Sequence, residues 1–177
     1  MEIGLDLDNT IINYDSLFYN IAVENNFVPR ELVKTKLSVK NYLHSRKEYD
    51  RFTFIQGQVY GAQLESAKLY RGVKTFIKHM IKKKNRLYII SHKTKYPIIG
   101  PKINLHQKSL KFLINNQVVN EELIKKNDVF FEPTLENKIK KILELKIDAF
   151  IDDLPEVVFD KKLDKKVKMI LIDYNKK

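Results

Sequence analysis

Short apolar runs of strand length and longer stretches of helical periodicity alternate along the chain from residue 73 onward, which is the pattern of a parallel sheet covered by helices. Val73, Phe76, Ile77, Met80 and Ile81 recur at helical spacing, Asn85 interrupts them, and residues 87–90 follow as a strand. A second helix is predicted over about 103–114 and a strand over 128–131. Pro133 and Thr134 then open a helix that reaches about Leu145, with Thr134 as its N-cap. Residues 148–151 read as another buried strand and 167–172 as the last one. At the start of the chain, Ile3, Gly4 and Leu5 form an apolar run that reads as the first strand.

Between that strand and residue 73 the rhythm changes. Residues 13–72 read as mainly helical, with Tyr14, Leu17, Phe18, Ile21 and Ala22 on one stripe, and they look like an insertion. The predicted organisation is a core of residues 1–12 and 73–177 interrupted by a small helical domain over 13–72. The fold class is α/β, a Rossmann-like parallel sheet flanked by helices. At 177 residues, 44% of them hydrophobic, the chain can build one proper core with a modest insertion. No Pro/Gly/Ser linker, internal repeat or low-complexity tail is visible.

Composition narrows the chemistry. The chain has no cysteine, which excludes disulfides and thiolate metal sites. It shows no secretory signal and no apolar segment near the roughly 20 residues that span a bilayer, so a cytoplasmic protein without a membrane partner is expected. The net charge of +11 invites a nucleic-acid reading. Against it, the lysines are spread over solvated faces, with runs such as Lys82-Lys83-Lys84 and Lys161-Lys162 at helix ends or loops, and neither zinc-finger spacing nor an aromatic RNA-binding motif is present. The charge fits a general preference for anionic ligands.

In a parallel α/β sheet the carboxyl ends of the strands share one edge, and ligands bind in the crevice there. Asp6, Asp8, Ser91, Asp152 and Asp153 all fall at predicted strand ends on that edge. Four carboxylates crowded together call for a hard cation, and oxygen-only ligands point to magnesium. Lys138 lies in the first turn of its helix, on the flank of the face formed by Leu135, Ile139, Ile142 and Leu143, and can reach the cluster. Lys140 points to water, and Lys141 lies further from the core. A cation beside those carboxylates suits a transferring phosphoryl group, whose equatorial oxygens need clamping.

Four places in this order, Asp6-Leu7-Asp8-Asn9-Thr10, Ile89-Ile90-Ser91, Lys138 and Asp152-Asp153, resemble the four motifs of the haloacid dehalogenase (HAD) superfamily. The likeness covers most of the chain apart from 13–72. It implies that Asp6 is a nucleophile that forms an aspartyl-phosphate and that Asp8 acts first as acid and then as base. It further implies that Thr10 orients the machinery, that Ser91 and Lys138 hold phosphoryl oxygens, and that the insertion is a cap that helps to choose substrates. Magnesium would be held by Asp6, the backbone carbonyl of Asp8 and Asp152, with Asp153 as a ligand or a partner through water. Dehalogenases need no acid at the position of Asp8, and the phosphate-transferring ion pumps usually carry Thr there, so Asp8 argues for phosphoester chemistry. The chain departs from the pattern in three respects. Asn9 replaces the commoner glycine, the Asp152-Asp153 pair has no preceding glycine, and only 13 residues separate Lys138 from Asp152.

The expected activity is therefore magnesium-dependent hydrolysis of a small anionic phosphomonoester, a sugar phosphate or a nucleotide. Phosphotransfer to another acceptor, as in a phosphomutase, is the alternative on the same scaffold. A basic nucleic-acid-binding or nucleic-acid-end-processing protein is the rival outside it. His92 and Lys93 are candidates to meet anionic or hydroxyl groups of a substrate, with plain loop residues as the competing reading. In the insertion, His44, Arg46, Arg51, Gln56 and Gln58 are candidates for leaving-group recognition. His79 and His106 read as surface or helix-end residues, and Tyr14, Phe18 and Phe27 as core of the insertion.

Overall fold

A computed structural model describes residues 1–163 and 165–174. Its regular elements begin with β1 (Glu2–Leu5), β2 (Ile12–Asn13), α1 (Asp15–Glu24), α2 (Lys36–Ser45), α3 (Tyr49–Gly57) and β3 (Lys68–Leu69). They continue with α4 (Val73–Lys82), β4 (Arg86–His92), α5 (Leu105–Asn115), β5 (Val129–Glu132) and α6 (Leu135–Glu144). β6 (Ala149–Asp152), α7 (Pro155–Val158) and β7 (Lys168–Leu171) complete the chain. The described residues form two compact units, one made of residues 1–12, 69–94 and 113 onward, the other of residues 13–68 and 95–112.

The first unit carries a five-stranded sheet in the order β5-β4-β1-β6-β7, and every adjacent pair is parallel. β1 lies at the centre, so its Ile3, Gly4 and Leu5 are buried on both faces as an unbroken apolar run. Gly4 stands opposite Phe150 of β6. A methyl group on Gly4 would come within 2.3 Å of the Phe150 ring, so a glycine is needed for that close approach. Beneath the sheet, Tyr88, Ile90, Phe150, Ile139, Ile142 and Ile147 form one buried cluster that binds α6 to β4 and β6. Thr134 caps α6, its Oγ1 accepting from the Asn137 backbone N–H at 3.1 Å, as the sequence predicts. That cap fixes where α6 starts, and with it the height of Lys138 above the carboxyl edge.

The second unit is mainly helical. The stripe on α1 is buried as expected, and Tyr14, Phe18, Phe52 and Tyr60 pack as an aromatic cluster with centroid separations of 5.1 to 6.4 Å. Phe27 is half-buried against Phe54. α2 is capped by Thr35, and its first N–H donates to the Asp15 carboxylate of α1 at 2.9 Å. Residues 95–104 lie against the end of α3. A Cβ on Gly57 would come within 2.3 Å of the Ile99 carbonyl oxygen, and one on Gly61 would touch Leu105 and Ile103. Among the described residues, no helix is long and apolar enough to cross a membrane.

Candidate active site

The carboxyl edge of the sheet is built by continuing the strand ladder past its formal ends. The Asp6 N–H donates to the Ile151 carbonyl at 2.9 Å, which holds Asp6 one residue beyond β1 beside the end of β6. The chain then turns tightly. The N–H groups of Ile11 and Ile12 both donate to the Leu7 carbonyl, and the Asn9 N–H donates to the Ile12 carbonyl at 2.9 Å. Asn9 takes φ 62° at the bend, in the left-handed region. Asparagine tolerates that region better than other residues with side chains, so the departure from glycine keeps the turn. It also adds a contact, because Asn9 Nδ2 donates to Asp153 Oδ2 at 3.1 Å.

Asp6, Asp152 and Asp153 each offer a carboxylate oxygen, and these three oxygens lie within 4.8 Å of one another. Lys138 reaches them from α6. Its Nζ donates to Asp6 Oδ1 at 2.6 Å and to Asp152 Oδ2 at 2.7 Å, and its side chain is wholly buried. Asp152 is held in turn by the Leu154 N–H on its Oδ1 at 2.9 Å. Burial pushes the Asp6 carboxyl up to about 7; Lys138 works against that shift, and the charges of Asp152 and Asp8 add to it. Asp152 is raised in the same sense, again chiefly by burial. Burial alone would lower the Lys138 ammonium, but the two carboxylates touching it outweigh that and raise it. Crowded acidic groups around one lysine leave a surplus of negative charge. An oxygen-only donor set of this kind fits a hard divalent cation.

Asp8 does not join the mutual contact of these three carboxylates. Its Oδ2 accepts from Lys93 Nζ at 2.6 Å, and the Lys93 side chain is 3% exposed. Ser91 and Thr10 are buried as well, and neither hydroxyl has a hydrogen-bond partner among the described residues. An unpaired buried hydroxyl costs roughly 1–3 kcal/mol, and such groups are rare enough to need a reason. Tyr174 donates its hydroxyl to the Thr10 carbonyl at 3.1 Å while its ring stacks on Tyr70 at 3.6 Å, so the loop after Asp6 is tied down from its far side as well.

The structure thus brings together Asp6, Asp152, Asp153 and Lys138, and it sets Asp8 with Lys93. His92, at the end of β4, is exposed. Arg46 and Arg51 belong to the second unit and both pair with Glu48, at 3.6 and 3.1 Å. In the same unit Gln56 and Gln58 are half-buried, and the His44 ring packs edge-on against Tyr49 and Phe52. His79 is exposed on α4, and His106 sits in the first turn of α5. Two features of the edge escape a reading of the sequence: the grip of Lys93 on Asp8, and the bridge from Asn9 to Asp153. The first had a signal, since Ser91 and Lys93 are two residues apart and so share a strand face.

No protein-family model matches the sequence, and no curated protein does. The structure is similar to that of a hydrolase from Streptococcus pneumoniae TIGR4, with 13% identity and a TM-score of 0.59 over 97% of this chain and 92% of that one. It is also similar to a HAD-superfamily hydrolase from Ehrlichia chaffeensis, with 12% identity and a TM-score of 0.52 over 98% of this chain and 88% of that one. At such identities the likeness is one of fold, and the chain has a HAD-like α/β fold.

Proposed function

We propose that this protein is a HAD-type hydrolase of small phosphomonoesters that works with a divalent cation, magnesium by the nature of its donors, through an aspartyl-phosphate on Asp6. The observation that carries the reading is the cluster of Asp6, Asp152 and Asp153, with oxygens within 4.8 Å of one another, beside the buried Lys138 ammonium that bonds Asp6 and Asp152. Asp6, Asp152 and Asp153 would hold the cation together with the backbone carbonyl of Asp8. When bound, it polarises the phosphoryl oxygens and offsets charge at phosphorus.

The protein's own groups then divide the work. An Asp6 oxygen forms the bond to phosphorus as the ester oxygen departs, and Asp8 gives that oxygen its proton. Water next loses a proton to Asp8 and attacks phosphorus, which releases inorganic phosphate and restores the Asp6 carboxylate. Lys138 clamps phosphoryl oxygens as they pass through the transition state. The unpaired Ser91 and Thr10 hydroxyls support this assignment, because a phosphoryl group would supply the acceptors they lack. The net charge of +11 favours an anionic substrate in general. The inserted unit is proposed to act as the cap that selects among such substrates.

The test is hydrolysis of p-nitrophenyl phosphate by the purified protein, with magnesium and with EDTA, alongside Asp6→Asn. Release of inorganic phosphate that needs the cation and vanishes in Asp6→Asn is the expected result. Activity that survives the substitution removes Asp6 from its role, and isomer formation from a sugar phosphate without phosphate release replaces hydrolysis by mutase chemistry.

A further inference from the structure

Lysine is rarely buried without a partner, because its ammonium is costly to strip of water. Among the described residues, the first unit buries two lysines, both at its carboxyl edge and both paired. Lys138 serves Asp6 and Asp152, as described above. Lys93 is the second, 5% exposed, two residues beyond Ser91. Its position is fixed by the sheet: the Lys93 N–H donates to the Glu132 carbonyl at 2.8 Å, which extends the β4–β5 ladder one residue past His92. Strand periodicity then puts its side chain on the face of Ser91, and the four-carbon stem delivers Nζ to Asp8 Oδ2 at 2.6 Å.

Asp8 needs such a hold. It is only partly buried and sits in the tight turn between Asp6 and Asn9, outside the regular strand that holds its neighbours. A short charge-assisted hydrogen bond from a rigid strand end sets the rotation of that carboxylate. We infer that Lys93 is a positioning residue for Asp8: it pins Oδ2, so that Oδ1 hands the proton to the departing ester oxygen and later takes one from the attacking water. Lys93 touches neither substrate nor phosphorus in this scheme. It acts through Asp8, in place of the direct substrate contact that its neighbourhood with Ser91 suggested. The inference rests on the phosphatase reading above.

The experiment compares wild type, Lys93→Met and Lys93→Gln on two aryl phosphates of similar shape, p-nitrophenyl phosphate and phenyl phosphate, with saturating magnesium. Phenolate is the poorer leaving group and depends more on a well-aimed acid. Misplacing a catalytic group costs on the order of 100-fold, within the range that general acid catalysis supplies. In Lys93→Met, kcat should fall about 100-fold on phenyl phosphate and about 10-fold or less on p-nitrophenyl phosphate, with KM within about threefold of wild type. Lys93→Gln keeps a donor for Asp8 without the charge, and should recover part of the phenyl phosphate loss.

A rise in KM with kcat preserved makes Lys93 a substrate ligand and overturns the inference. So does an equal loss on both esters, which signals a merely structural role, and so does failure of both variants to fold. Unchanged activity in Lys93→Met overturns it while leaving the phosphatase reading intact. A wild-type protein inactive on both esters sinks the phosphatase reading first, and the role of Lys93 with it.

Discussion

Replacing Lys138 by methionine removes the cation from the centre of the edge while nearly keeping its shape. The Lys138 stem already runs past Phe150, with Nζ 5.4 Å from the ring centroid, and a thioether makes favourable contacts with an aromatic ring in the same place. What is lost is electrostatic. Lys138 and Asp152 side chains are fully buried and Asp6 is 6% exposed, at distances of 2.6 and 2.7 Å. Breaking a buried pair strands its partner and typically costs about 3–5 kcal/mol. For a chain of this size, 1 kcal/mol moves Tm by roughly 2–4 °C, so Lys138→Met should unfold about 6–20 °C below wild type in EDTA at pH 7.5. Two further readings isolate the cause. The deficit should shrink on going to pH 5.5, where the stranded carboxylates take up protons, and Asp6→Asn in the Lys138→Met background should restore part of it, with a coupling of about 1 kcal/mol or more. Thermal melts followed by far-UV circular dichroism are sufficient. A Tm within about 2 °C of wild type, or a deficit that widens on acidification, would show that Lys138 is not the charge partner described here.

The pH dependence of the metal-free protein follows from Asp6. Its folded pKa, pushed up to about 7, lies above the unfolded value, so the stability it contributes is present at low pH and is lost as pH rises through about 7. In EDTA, the Tm of wild type relative to Asp6→Asn should therefore fall between pH 5 and pH 8, and magnesium should raise the wild-type Tm more at pH 8 than at pH 5.5; a difference flat across that range contradicts the assignment. Asn9 is tested by two substitutions. Asn9→Gly keeps the φ of 62° and loses only the hydrogen bond to Asp153, whereas Asn9→Ala also strains the backbone, at a cost of about 1–2 kcal/mol. Urea midpoints should rank Gly above Ala, and equal midpoints would mean that the turn relaxes freely.

Much of this architecture is written in local rules. A threonine after a proline, followed by apolar residues at helical spacing, marks the start of α6, and the structure shows Thr134 capping there. Once that start is fixed, periodicity places Lys138 on the inner flank and Lys140 in water, as observed. Apolar runs ending in acids mark the strand ends for the same reason: a parallel sheet buried on both faces has room for polar groups only at its rims. What stays hidden is set by contacts between residues distant in the chain. Residues 95–112 group with the helical insertion, where Ile99 comes close to the Gly57 backbone, and no local pattern encodes such an approach.

Charge pairing was the least legible layer. Composition shows a surplus of lysine, and from composition alone any one of them is a surface residue. Two become special only through geometry, Lys138 because a capped helix aims it inward and Lys93 because the β4–β5 ladder continues one residue past the strand. In both cases the rigid element fixes the backbone first and the carboxylate then selects the ammonium, so that four acids at one edge are sorted into two settings. Asp8 is turned towards Lys93, whereas Asp6 and Asp152 share Lys138 with Asp153 close beside them, three acids around one ammonium. On the proposed function, that imbalance, and not the mere number of acids, is what would suit the edge to a divalent cation and a phosphoryl group.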